Sequence, residues 1–457
     1  MKGVLIIVDG LGDLPCSQLD NKTPLESAHM PNLDFLATRG EMGIMYPVNP
    51  GFIPESDEAI VSIFGNDLIS STRGQLEANG AGIKLARGDL ALRVNFATID
   101  SLAEKNIIDR RAGRTLTTEE AIQLSKALNK IKLSCDFVFQ PTIQHRGVLV
   151  FRGGFSDNIL GNDATYSQGK SKNINKIGFC KPLDEDENSQ FTANIVNEFL
   201  ERAFVVLNNH PVNNERRIKG LLPANYLLVR GAGIEIPRLK QYPKWLSISY
   251  MPLEIGFSKL CNMEVCSFEY PKLKNLDAYE NFYEGLAKAC EYAVKYLNKN
   301  YKKFDYAYVH IKETDLPGHD NKPFEKKQML EYLDANLFKF LREFAPPNKI
   351  HVVVTGDHST PCRLKHHSAD PVPVLFYNCS LPKINKSYAG KTEQSSTKGV
   401  FSRFKDETKN KVGSVLSNFK ERSMKLEGQK FSEKEAKKGS LGEFTGQELL
   451  RKVGFLK

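Results

Sequence analysis

No run of about 18 apolar residues, the length a membrane-spanning helix needs, occurs in the 457-residue chain. The opening MKGVLIIVDGLGD offers five consecutive apolar residues before Asp9, short of the roughly 7 to 15 of a secretory signal core. Eight cysteines are scattered along the chain without a CxxC pair, which argues against a disulfide framework and leaves reduced thiols as the expectation. Cys261 and Cys266 have no matching pair at zinc spacing. No internal repeat is visible. These absences predict a cytoplasmic globular protein.

The formal net charge is +9, but residues 386–430 alone hold eleven Lys and Arg against five Asp and Glu. The rest of the chain is close to balanced, so a small anionic substrate is expected and nucleic acid is not. The 386–430 segment is polar and poor in large apolar groups, and reads as a solvated insertion. Its weak stripe (Val400, Phe401, Phe404, Val412, Val415, Leu416, Phe419) suits a loop or a partner-docking helix better than membrane contact. Nothing in the sequence sets an oligomeric state.

The length predicts two domains, or one core carrying a large insertion. Near-continuous apolar runs at 4–8, 305–311, 350–354 and 371–377 fit strands buried on both faces. Apolar residues at helical spacing in 278–297 and 324–344 alternate with them, which predicts an α/β fold with a mostly parallel sheet flanked by helices. Between them, LALRVNFATID and RGVLVFRGG read as strands. TTEEAIQLSKALNKI reads as a helix with a threonine cap. The expected division is 1–74 with 266–457 as one domain and 75–265 as an inserted α+β domain.

Asp9 directly follows the first strand, Asp315 lies four residues beyond DYAYVHI, and Asp357 follows IHVVVTG, so three acids sit where three predicted strands finish. In open α/β sheets that edge binds ligands. His319, His358, His366 and His367 fall in the same zone, and carboxylates with imidazoles suit divalent cations such as Mn, Zn, Co or Mg. Each fragment taken singly reads as a turn or cap; the set reads as a metal site. In PESDEAIVSIFG, Ser56 reads as a helix N-cap, which is also where an anion and an activated hydroxyl are favoured. A two-metal phosphoryl-transfer site follows. Arginines at 93, 110, 111, 114, 146 and 230 would suit a doubly anionic substrate.

The stretches VLIIVDGLGD, TPLESAHMPNLDFLATRG, SDEAIVSIFGND, RGQLEANGAGIKLARGDLALRVNFATID, IIDRRAGR, LNNHPVN, VHIKETDLPGHD with TGDHSTP, and HSADPVPVLF together resemble the archaeal type of 2,3-bisphosphoglycerate-independent phosphoglycerate mutase, within the alkaline phosphatase superfamily. The resemblance resumes at FSEKEAKKGSLGEFTGQELL. It implies an alkaline-phosphatase-like fold and Ser56 as phosphoryl acceptor. It also implies one cation on Asp9, Ser56, Asp357 and His358 and a second on Asp315, His319 and His367. Lys312 would serve the leaving oxygen, with Asp109 and Arg110 beside it as catalytic residues. Asn95, Arg111, His145, Arg146 and Arg230 would hold phosphoglycerate. Manganese is the implied metal, and 2,3-bisphosphoglycerate is not required. Residues 248–275 and Asn321, where a glycine is expected, depart from the family pattern, and 386–430 is an insertion relative to it. The alternatives are another phosphoryl-transfer enzyme of the superfamily, such as a phosphatase or phosphonate hydrolase, and a scaffold docking through 386–430.

Overall fold

The computed structural model describes residues 1–68, 73–163, 166–167, 170–171, 175–274, 277–380 and 430–456. Its larger sheet has eight strands, in the spatial order Glu264–Cys266, Trp245–Ile248, Tyr306–Ile311, Gly3–Val8, His351–Thr355, Val372–Tyr377, Glu41–Tyr46 and Gly442–Thr445. Val372–Tyr377 pairs antiparallel with both neighbours, while the other pairings are parallel. The expected strands all form. Side chains alternate across the central strand: Val4, Ile6 and Val8 enter one core, Leu5 and Ile7 the other. Two buried faces are why this strand reads as an unbroken apolar run.

Register places the functional edge. Val8 lies opposite Ile311, and Ile7 opposite both His310 and Thr355, so the residues leaving these three strands emerge side by side.

The smaller sheet is antiparallel, with Tyr226–Gly233, Leu90–Ile99, Arg146–Phe151 and Phe137–Pro141 in order and Ile107–Asp109 paired to Leu90–Ile99. Leu90, Leu92, Val94 and Phe96 pack with Leu124 of the helix Thr118–Leu128 and Val196 and Phe199 of the helix Glu187–Asn208. Thr117 caps the former as expected: its Oγ1 accepts from the Glu120 N–H at 3.1 Å and Glu120 accepts from the Thr117 N–H at 2.8 Å.

The expected boundary at 265 cuts through the larger sheet, because Trp245–Ile248 and Glu264–Cys266 belong to it. Strands this short carry too few residues to stand out as apolar runs. The helix Arg73–Gly80, which leads into the smaller sheet, packs against the helix Pro252–Leu260, which joins two strands of the larger one. A Cβ at Gly80 would lie 1.7 Å from the Pro252 carbonyl oxygen, and one at Gly256 1.8 Å from that of Leu76, so only glycine permits this approach.

The helix expected over 324–344 forms as Pro323–Leu333 and Lys339–Phe344 joined by a π turn at Asp334–Phe338. The wider turn aims Asp334 at the helix Pro31–Ala37, whose Leu33 N–H donates to Asp334 Oδ1 at 2.8 Å. Among the described residues no helix is long and apolar enough to cross a membrane. The basic 386–430 stretch lies outside the described residues except for Lys430.

Candidate active site

The strand ends bring Asp9, Asp315 and Asp357 together. Asp357 is fully buried; its Oδ1 accepts from the Gly10 and His358 N–H groups, each at 3.0 Å. Its Oδ2 faces His358 Nε2 at 3.4 Å and His310 Nε2 at 3.6 Å. Asp9 Oδ1 lies 3.2 Å from His358 Nε2, and Asp9 Oδ2 lies 3.6 Å from His310 Nε2 and against Lys312 Nζ. Asp315 meets His319 at 3.2 Å and His367 at 3.7 Å. His367 lines the cleft, whereas His366 turns its Nδ1 to the His367 carbonyl at 2.7 Å.

Each imidazole is oriented from behind. His319 Nδ1 lies 3.0 Å from the Lys365 carbonyl, and His367 Nδ1 lies 2.9 Å from that of Pro54. Thr360 Oγ1 donates to Asp315 at 2.6 Å, so it accepts from His358 Nδ1 at 3.0 Å. Carbonyls and an acceptor hydroxyl hold the protons on Nδ1, so each Nε2 is aimed at the centre and offers its lone pair whenever the ring is neutral. Among the described residues the buried Asp9 Oδ1, Asp357 Oδ2 and His310 Nε2 have no hydrogen-bond partner. Two groups have ligand atoms close enough to share an ion: Asp315, His358 and His367, and Asp9, His310 and Asp357. Buried unpaired acceptors of mixed N and O type fit divalent cations.

Ser56 Oγ points into this cluster, 3.3 Å from His358 Nε2 and 3.5 Å from Lys312 Nζ. The cap itself is Glu55, whose N–H donates to Glu58 at 2.8 Å, and Ser56 is the first residue of the helix Ser56–Ile63. This corrects the expected N-cap assignment by one position. The spacing of acidic and apolar residues fixes a helix start only to within a residue or two.

Charge in the metal-free site is distributed unevenly. Burial alone would raise Asp9, but Lys312, His310 and His358 hold it well below the usual carboxylate range. Burial opposes a charge on His358, yet Asp357 and Asp9 raise it to about 9; burial and the neighbouring His358 push His367 down to about 4. A cation needs neutral His358, so binding displaces its proton. Metal affinity should therefore rise about tenfold per pH unit from roughly 7 to 9, as calorimetric titration with Mn²⁺ would show. The metal-free fold should move oppositely: a raised histidine contributes stability below about pH 6.5 that is lost as pH passes about 9. A pH-independent affinity would contradict this.

The facing wall of the cleft comes from the smaller sheet. Leu92 and Val94 point into its core, so Arg93 and Asn95 take the other face. Arg230 lies opposite Arg93 and Arg146 opposite Asn95, which gathers three guanidiniums on one surface. Like charges so placed repel; Glu77 pairs with Arg93, and Glu55 with Arg230 at 3.1 Å and Arg73 at 3.1 Å. Among the described residues Arg111 and Arg146, which also line the cleft, have no carboxylate within salt-bridge distance. His145 is buried and held well below its ordinary pKa by burial, then by Arg146 and Arg111.

Asp109 and Arg110, expected beside the chemistry, do not line the cleft. Arg110 pairs with Asp163. Asp109 Oδ1 accepts from the Arg111 and Gly113 N–H groups at 2.7 and 2.8 Å, fixing a turn in which Ala112, Gly113 and Arg114 have φ of 47°, 67° and 57°. Left-handed backbone at the two non-glycine positions costs about 1–2 kcal/mol each. Buried Arg216 holds the turn through the Ala112 carbonyl at 3.3 Å and the Thr115 carbonyl at 3.1 Å. The turn presents Arg111 and Arg114 to the cleft in place of Arg110. Arg114 crosses it to Asp320 at 2.5 and 2.8 Å, beside Gln144 to Asn281 at 2.8 Å and Lys272 to Glu119 at 2.6 Å. Asn321, at the expected glycine, has φ 54°, a conformation asparagine tolerates.

Arg73, which lines the cleft, and His310 and Glu254, buried against Asp9 and Lys312, escaped sequence reasoning about the site. His310 carried a signal, since strand alternation puts it on the same face as Lys312. Arg73 reads as an ordinary helix start, and Glu254 lies in the stretch that departs from the family pattern.

A relative from Pyrococcus furiosus named 2,3-bisphosphoglycerate-independent phosphoglycerate mutase is 40% identical over 385 residues, covering 82% of this chain and 88% of the relative. The chain belongs to the 2,3-bisphosphoglycerate-independent phosphoglycerate mutase family. The family model of that description matches residues 37–213. A family member from Archaeoglobus fulgidus is 39% identical over 388 residues, with 82% of this chain and 88% of that one covered. Among solved structures, a protein from Pyrococcus horikoshii aligns with TM-score 0.66 and 29% identity over 100% of this chain and 98% of that one. The cofactor-independent phosphoglycerate mutase from Thermoplasma acidophilum aligns with TM-score 0.51 and 27% identity over 100% and 99%.

Proposed function

We propose that the protein is a metal-dependent phosphoglycerate mutase, independent of 2,3-bisphosphoglycerate, that interconverts 3- and 2-phosphoglycerate in the cytoplasm through a phosphoserine at Ser56. The observation that carries this is one buried hydroxyl beside three carboxylates and four imidazoles, facing a wall of guanidiniums across the cleft. Asp9, Ser56, Asp357 and His358 are proposed to hold one cation, and Asp315, His319 and His367 the other. Mn²⁺ is the first choice; Zn²⁺, Co²⁺ and Mg²⁺ are the alternatives. When bound, the cations favour ionisation of the Ser56 hydroxyl and offset charge on the phosphoryl oxygens.

The remaining work falls to the chain. Arg111, Arg146 and Arg230, with Asn95 and His145, are proposed to orient the phosphate and carboxylate of the substrate. Ser56 Oγ attacks phosphorus as the bond to the 3-oxygen breaks, and the Lys312 ammonium gives that oxygen a proton. Glycerate turns, Lys312 takes the proton of the 2-hydroxyl, and the 2-oxygen attacks phosphorus as the bond to Ser56 breaks. Water in the cleft would intercept the phosphoserine, so the Arg114–Asp320 and Gln144–Asn281 contacts that close it belong to the mechanism. The smaller sheet is then the substrate-binding insert.

A phosphatase on the same core is the neighbouring reading. Supplying 3-phosphoglycerate with Mn²⁺ and no 2,3-bisphosphoglycerate should yield 2-phosphoglycerate with little free phosphate. Free phosphate alone would overturn the proposal. A scaffold role through 386–430 concerns residues almost wholly outside the described ones.

A further inference from the structure

Glu254 is a buried carboxylate, 1% exposed, on the first turn of the helix Pro252–Leu260. Its Oε1 lies 2.9 Å from Lys312 Nζ, the one salt-bridge partner it has among the described residues. Lys312 Nζ also touches Asp9 Oδ2 and stands 3.5 Å from Ser56 Oγ. One ammonium thus has two carboxylates, and they differ in what else they do. Asp9 turns its other oxygen to His358 in the cluster suited to a cation, while Glu254 lies outside that cluster, with Lys312 in salt-bridge contact and Arg73 and His310 also feeling its charge.

From this the geometry points to Glu254 as the positioning residue for Lys312: it keeps the ammonium beside Ser56 when a cation draws Asp9 away. The inference rests on the proposed roles of Asp9 and Lys312. Without Glu254, Lys312 would lean on Asp9 alone and compete with the metal for it. No atom of Glu254 reaches a reacting bond, so it acts through the lysine alone.

The test is a cycle of wild type, Glu254→Gln, Lys312→Met and the double variant, each titrated with Mn²⁺ by calorimetry and assayed for isomerisation. Glu254→Gln should weaken Mn²⁺ binding about tenfold and lower kcat about a hundredfold. Adding Lys312→Met should restore Mn²⁺ affinity, and in the Lys312→Met background Glu254→Gln should cost little further kcat. A merely structural role would not be relieved by removing the lysine. Glu254→Asp keeps the charge and should recover part of both losses, which keeps the inference testable if the glutamine variant folds poorly. Unchanged Mn²⁺ affinity in Glu254→Gln, or additive losses in the double variant, would overturn it. Failure of the wild type to isomerise would instead strike the proposed function, because the Mn²⁺ titrations need no substrate.

Discussion

Ser56→Ala is expected to abolish isomerisation, with a loss on the order of 10⁴-fold or more, because the proposed route carries the phosphoryl between the two hydroxyls on the Ser56 oxygen. Ser56 is nearly buried, and its hydroxyl makes two long contacts, 3.3 Å to His358 and 3.5 Å to Lys312. Alanine removes one oxygen without disturbing a short bond, so the melting temperature of the metal-free protein should hardly move. Incubation with labelled 3-phosphoglycerate should label the parent chain transiently and the variant not at all. Residual activity within about tenfold of the parent would mean that phosphate moves by a route that bypasses this serine.

Asp357→Asn separates metal binding from folding. The amide can keep the contacts from the Gly10 and His358 N–H groups while removing the charge that faces His358 and His310. Metal affinity should drop at least about a thousandfold and activity with it. The metal-free variant should still fold but lose some stability at neutral pH, because His358 and His310 hold the Asp357 carboxyl below its ordinary pKa against burial and the neighbouring Asp9. The rise in melting temperature that Mn²⁺ gives the parent, which follows its affinity, should shrink or vanish in the variant. A full metal-induced rise would show that Asp357 holds no cation.

Much of this was legible because a parallel sheet writes its functional edge into the sequence. Apolar runs end in Asp9, and shortly before Asp315 and Asp357, and register then brings those ends together. Ser56 was legible as a helix start, though displaced by one residue. The run IIDRRAGR was misread for a physical reason: three arginines in sequence take opposite directions when the turn between them is left-handed, and spacing does not reveal that turn. Glu254 was invisible because an acid in a first helical turn is ordinary; only its burial beside Lys312 sets it apart. The boundary at 265 failed because two short strands, Trp245–Ile248 and Glu264–Cys266, already belong to the larger sheet.

In the larger sheet Val372–Tyr377 and Gly442–Thr445 flank the same strand, Glu41–Tyr46, so the chain leaves and re-enters the sheet about 10 Å apart. Whatever length of polypeptide joins those points closes a loop anchored at both ends, and doubling such a loop costs only about 0.6 kcal/mol. By that scaling, changing the number of residues between Val372–Tyr377 and Gly442–Thr445 costs the sheet little stability.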